Sequence, residues 1–212
     1  MATGQSDAAG PEAAFPPEVP VMMTLSALAA TSGPIQQTVQ EQEQAILAAI
    51  NGQLSNTGLA TQGQWQAIWV GLSLDLANLA YIAQDAAAPS PTYAVVIRGT
   101  VAGNTIDLAE DWDVTEVKGF WGYVGLQAPP LGCADANNAN AVCISQGAMQ
   151  AFQEVTGAVG STAEAYGTTL ELMLTTLVSD AGNDPTTIWV TGHSLGGATA
   201  TTVALYLAKG VT

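Results

Sequence analysis

The chain has 212 residues, of which 48% are hydrophobic and only 10% charged, enough to bury a sizeable core within one domain. Its net charge of −15 sets 18 acidic residues against three bases, Arg98, Lys118 and Lys209. No basic patch can be assembled from three cations to neutralise phosphates, which excludes nucleic acid and disfavours anionic membrane surfaces as partners.

The first twenty residues, rich in proline and small polar side chains, read as a disordered lead-in. They contain no Lys or Arg, so the positive region that opens a secretory signal is not visible there. No later stretch approaches the unbroken apolar length of a membrane span. From residue 35, "IQQTVQEQEQAILAAINGQL" places Ile35, Val39, Ile46, Leu47 and Ile50 among polar residues and predicts a helix ending at Asn51-Gly52. A second helix is predicted over residues 64–84, where Trp65, Ile68, Trp69, Leu72, Leu76, Leu79 and Ile82 fall largely at three- and four-residue spacing. Together they form a helical lead-in to about residue 88.

"TYAVVIRGT", residues 92–100, is a short apolar run rich in β-branched residues and closed by glycine, the pattern of a buried parallel strand. "VTEVKGFWGYVGL" predicts one or two further strands. Cys133 and Cys143 then bracket the turn-rich "ADANNANAV". A bridge there would stabilise by about 2–3 kcal/mol and imply an oxidising compartment, whereas two free thiols fit the cytosol; the spacing leaves both open. One histidine and two loop cysteines build no metal site. Residues 145–156 predict a short helix. "STAEAYGTTLELMLTTLVSD" opens with Ser161 and Glu164 in capping-box spacing and predicts an amphipathic helix running toward Asn183 and Pro185. A strand, "TTIWVTG", and a helix, "LGGATATTVALYLAKG", complete the order. Strands alternating with helices give an α/β protein with a mostly parallel sheet.

The junction of that last strand and helix is Gly192-His193-Ser194-Leu195-Gly196, a G-x-S-x-G sequence. The bland reading is a glycine-rich turn that merely packs. The motif requires a strand before the serine and a helix after it, with small residues where helix and strand approach, and this context is present.

Three ordered segments resemble the class 3 lipases, the fungal-lipase-like branch of the α/β-hydrolase fold: "NLAYIAQD" leading to "VVIRGT", the pair Asp111-Trp112, and "IWVTGHSLGGATA". A middle element departs from the family pattern, with Gln146 and Ala148 of "ISQGAMQAF" in the places of a usual His and Phe. The resemblance covers roughly residues 65–212. It implies an α/β-hydrolase-type sheet flanked by helices, with Ser194 as nucleophile and the backbone N–H of Leu195 together with Thr100 as the oxyanion hole. It implies an acyl (lipid) ester substrate with transient contact at a lipid interface, and no cofactor or metal. Residues 101–110, with Val101, Ile106 and Leu108, fall where these lipases carry a lid, and a plain surface loop fits them equally. His193 is read as a packing residue that points away from Ser194, and Asp111 and Asp113 as fixing a turn or lid hinge.

After Ser194 comes "LGGATATTVALYLAKGVT", which contains no Asp, Glu or His, whereas this fold takes its acid and base from positions after the nucleophile. The expectation is an incomplete α/β-hydrolase domain over 21–212, truncated after the elbow helix, with "TTIWVTG" left as an unpaired edge. The function expected is a serine hydrolase of the lipase/carboxylesterase type, with this polypeptide alone inactive. The alternative is a non-catalytic lipid-binding or assembly protein that keeps the front half of the fold; an acyltransferase is a weaker third. Compartment, acyl chain length and oligomeric state are not fixed by these residues.

Overall fold

The computed structural model describes residues 15–99, 116–135 and 137–210. The predicted lead-in differs most. Helix α1 spans Glu18–Leu28, so order begins inside the segment read as a disordered 1–20; residues 1–14 lie outside the described residues. Helix α2, Val39–Leu54, starts at a capping box in which Thr38 accepts the Glu41 N–H and the Glu41 carboxylate accepts the Thr38 N–H. It runs through Asn51-Gly52 rather than ending there.

The segment expected as a helix over 64–84 is instead an antiparallel pair, β1 Trp65–Leu72 and β2 Leu79–Asp85. Three- and four-residue spacing arises here because both strands are buried on both faces and the turn between them also carries leucines. Runs apolar at nearly every position do not separate the two periods. Strand β3, Thr92–Ile97, pairs antiparallel with β2. The helical lead-in to residue 88 is thereby replaced by two helices and a meander.

Further along, β4 (Val117–Gly119) and β5 (Cys143–Ser145) form a small separate ladder, with a 3-10 turn at Trp121–Val124. Cys133 and Cys143 are bridged, with Cα atoms 5.9 Å apart. Helix α3 is Gln146–Gly157, capped by Ser145 Oγ, which accepts the Ala148 N–H. Ser161 does not open a helix: β6 (Val159–Ser161) and β7 (Tyr166–Thr169) form a hairpin, and α4 (Leu170–Ala181) starts one element later, with Thr169 accepting the Leu172 N–H. The hairpin consumes the Ser161 hydroxyl elsewhere, as described below. Strand β8 (Thr187–Gly192) and helix α5 (Leu195–Gly210) close the order as predicted.

Among the described residues the main sheet has the order β7-β6-β1-β2-β3-β8. It is mixed rather than mostly parallel: only β3 and β8 run parallel, and the other four pairings are antiparallel. Helices cover both faces, as an α/β-hydrolase-type sheet requires. One face packs Val70, Leu72, Tyr81 and Val96 against α1 and α2, and the other packs Trp69, Ile82, Val95 and Ile97 against α3, α4 and α5. A bulge at Ile68, between the registered pairs Ala67↔Ala83 and Trp69↔Ile82, lets Trp65, Ala67, Val70 and Leu72 share a face.

Strand β6 reaches β1 at Val70↔Ser161 only, which leaves other backbone groups of β1 to be satisfied. Helix α2 does this. The Asn51 amide accepts the Ala67 N–H at 2.7 Å and donates to the Ala67 carbonyl at 2.9 Å. This use of Asn51 is why Asn51-Gly52 does not end the helix. Just over two turns earlier on the same side, Glu43 is fully buried, accepting the Leu72 N–H at 2.9 Å and the Ser161 hydroxyl at 2.7 Å. Burial pushes its carboxyl up from 4.5 to about 7, although both hydrogen bonds pull the other way.

Candidate active site

Strand β3 and strand β8 deliver the site because they are parallel neighbours that finish side by side, Ile97 opposite Gly192. After Gly192 the chain turns within two residues into α5. Ser194 occupies the turn with φ +56°, a left-handed conformation that a non-glycine residue rarely adopts. Strain of this kind, of order 1–3 kcal/mol, persists where the surroundings over-determine it. Ser194 is exposed, and its carbonyl accepts the Gly197 N–H at 2.9 Å, fixing the turn onto the helix.

Three glycines make the turn possible. A Cβ on Gly192 would overlap the Gly196 carbonyl oxygen, and a Cβ on Gly196 would overlap the Ile97 carbonyl and come within 2.6 Å of the Arg98 carbonyl. The third, Gly99, lies where a Cβ would overlap the His193 carbonyl and stand 3.1 Å from the Ser194 Cβ. The end of β3 is thus pressed directly against the serine turn. The local motif marks the elbow glycines 192 and 196, whereas Gly99 shows in the sequence only as the glycine that closes the strand in "RGT".

Leu195 is the first residue of α5. Its N–H belongs to the first turn of a helix, where amides have no acceptor one turn earlier and the helix dipole adds positive character. Thr100 lies outside the described residues, as do the lid-or-loop segment 101–110 and Asp111, Trp112 and Asp113. His193 is exposed and lines a cleft of about 440 Å³ against α1, with Met22, Met23, Ser26, Ala27 and Trp189. Ser194 does not contribute to that cleft. Ser26 and Thr191 share a hydroxyl hydrogen bond of 2.8 Å at its base.

Gln146 is the first residue of α3; its N–H donates to the Glu116 carbonyl at 2.8 Å, and its side-chain oxygen is buried without a partner among the described residues. Among the described residues no cluster of His, Cys, Asp and Glu could hold a metal ion, and no helix is long and apolar enough to cross a membrane. Arg98, which precedes Gly99, donates to the carbonyls of Leu76 and Ala77. That tie joins the end of β3 to the β1–β2 turn, more than twenty residues earlier, and no local sequence pattern marks it.

A strained serine between a strand and a helix, in a cradle of glycines, matches a known pattern over just over half the chain: the family model described as Lipase (class 3) covers residues 94–211. The chain belongs to the class 3 lipases. Among solved structures it is similar to the nonglycosylated LIP2 lipase of Yarrowia lipolytica, with a TM-score of 0.51 and 18% identity over 88% of this chain and 52% of that one. At that identity the likeness is one of fold, and the chain spans about half the length of the lipase it matches. No curated protein matches the chain.

Proposed function

We propose that this class 3 lipase chain contributes the nucleophile half of a serine ester hydrolase acting on acyl lipid esters. Ser194 attacks the ester carbonyl through Oγ, the carbonyl oxygen becomes the oxyanion, and collapse expels the alcohol to leave an acyl-enzyme that water then cleaves. The Leu195 N–H and Thr100 donate to the oxyanion, each donor worth about 3 kcal/mol in the transition state. The acid and base are supplied from outside these 212 residues, since none follows Ser194 within them.

The observation that carries this reading is the strained backbone of Ser194 held by Gly192, Gly196 and Gly99. Glycine there would relieve the strain, so a serine at φ +56° is kept at a cost on the order of 1–3 kcal/mol. A binding or assembly protein would have no need of it.

The test is hydrolysis of a short soluble acyl ester by two polypeptides: the 212 residues alone, and a longer product read from the coding sequence past Thr212 in the same frame. The 212-residue chain should turn over little or nothing. The longer product should hydrolyse the ester and lose activity at least a thousandfold, roughly, on Ser194→Ala. Hydrolysis by the 212 residues that Ser194→Ala abolishes would sink the external base; hydrolysis by the longer product that survives Ser194→Ala would sink the nucleophile.

A further inference from the structure

The end of the sheet opposite Ser194 carries a second concave feature. Strand β8 starts at the pair Thr92↔Thr187 and reaches Gly192 five residues later, so this end lies about 17 Å from the elbow. There the loop before β1, the segment after β2 and the start of α1 border a cleft of about 760 Å³, within the range of about 300–1,000 Å³ that small-molecule sites occupy. Trp65, in register with Asp85, and Trp189 line it from the sheet.

The loop before β1 is held in a costly shape. Gln62 has φ +52°, next to Gly63 at φ +71°, and glycine is the residue suited to both. Backbone bonds fix it there: the Gln62 N–H donates to the Leu59 carbonyl, the Gln64 N–H to the Thr61 carbonyl and the Ala86 N–H to the Gln64 carbonyl, each at 2.9 Å. Thr61 is 1% exposed, and its hydroxyl has no hydrogen-bond partner among the described residues. Thr61, Gln62 and Gln64 all line the cleft. A strained residue and an unpaired buried hydroxyl both cost stability, and costs of this kind collect where a protein binds something.

The lining selects the ligand. No Lys or Arg borders the cleft, whereas Glu18 and Asp85 do, so an anion is repelled. The neutral side chains of Thr61, Gln62, Gln64 and Thr187 outnumber the carboxylates, and each can donate and accept at once. An organic cation would use the carboxylates and leave the amides and hydroxyls idle. A ligand dense in hydroxyl groups uses the whole set, donating to Glu18 and Asp85 and exchanging hydrogen bonds in both directions with the neutral groups. The C–H face of a sugar ring is also a flat apolar surface of the kind an aromatic ring packs against. Trp189, 38% exposed, is the ring open to such packing.

We propose that this cleft binds an uncharged sugar chain, a short neutral oligosaccharide, at the end of the sheet away from Ser194. Such binding does not depend on the role of Ser194, and with no ion pair between ligand and protein it is insensitive to salt.

Isothermal titration calorimetry of the 212-residue chain with maltotriose, cellotriose and chitotriose tests it, alongside a sulfated dextran fragment and spermidine as charged comparisons. The variants are Trp189→Ala, Gln62→Gly and Tyr166→Ala. Gln62→Gly removes the amide while relieving the backbone, so its melting temperature should not fall below that of wild type. Tyr166 is another exposed aromatic residue, on β7 at the far edge of the sheet. At least one of the three sugars should bind the wild type, with an affinity unchanged by added salt. Trp189→Ala and Gln62→Gly should each weaken it at least about tenfold, and Tyr166→Ala should stay within about twofold. Trp189→Ala, which leaves the loop intact, decides the matter should Gln62→Gly melt lower. Failure of all three sugars to bind, wild-type affinity in Trp189→Ala, an equal loss in Tyr166→Ala, or tighter binding of the sulfated fragment would each overturn the proposal. So would binding of spermidine by a chain that ignores the sugars.

Discussion

The meander β1–β3 and the edge strand β8 belong to one sheet and yet are built on opposite terms. Trp69, Val70, Tyr81, Ile82 and Ala83 of the meander are all 0% exposed, sealed by helices on both faces. Strand β8 alternates exposed and half-buried residues, with Trp189 38% exposed, and among the described residues its outer edge has no neighbour. Burial energy is concentrated in the meander, and the turn that carries Ser194 hangs from the less buried strand. The elbow is held less by apolar area than by close backbone fit.

The largest expected break of that contrast comes from its two tryptophans. The Trp69 ring lies over Gly71 and Gly160, where a Cβ at either would overlap it, and its Nε1 donates to the Thr168 carbonyl at 2.9 Å. Trp69→Ala should destabilise by about 3–5 kcal/mol in a denaturant titration, and Trp189→Ala by less than about 1 kcal/mol. Equal losses would mean that the meander is not where stability resides.

An intermediate effect is expected at the elbow. Gly196→Ala places a methyl against the Ile97 and Arg98 carbonyls, and should cost about 1–3 kcal/mol as the helix is pushed off β3. Thermal unfolding of the purified variant measures it. A neutral result would mean that close fit does not hold the turn.

A third effect depends on pH. The Glu43 carboxyl is raised from 4.5 to about 7 in the folded protein, so the native state binds its proton more tightly than the unfolded chain does. The stability this contributes is complete below about pH 4.5 and is lost as pH rises through about 7. Glutamine mimics the neutral form, so the melting temperature of Glu43→Gln relative to wild type should rise between pH 5 and pH 8. A relative melting temperature that falls over that interval would show a carboxylate stabilised by its two hydrogen bonds.

The last strand and helix were legible in the sequence because they alternate cleanly: "TTIWVTG" reads as strand, "LGGATATTVALYLAKG" as helix, and the glycines between them as a tight turn. The meander was not legible as strands. Its residues are apolar on both faces, and Leu74 and Leu76 filled the turn where polar residues would have marked a break. The hairpin at 159–169 was hidden by Ser161 and Glu164, whose spacing matches a cap while the Ser161 hydroxyl is in fact spent on Glu43. At the site, the serine and its flanking glycines were readable from a local motif. The approach of Gly99 and the bridge from Arg98 to the β1–β2 turn join segments far apart in the chain, and no local pattern encodes them.

Helix α2 touches β1 with two polar side chains, Asn51 at Ala67 and Glu43 at Leu72, and so works as a ruler laid along the strand. The eight residues from one to the other advance about 12 Å along the helix and must span the stretch of strand that β6 leaves mostly unpaired. Insertion or deletion of one residue between them would rotate one of the two marks off the strand by about 100°, so this interval of helix is closed to length variation.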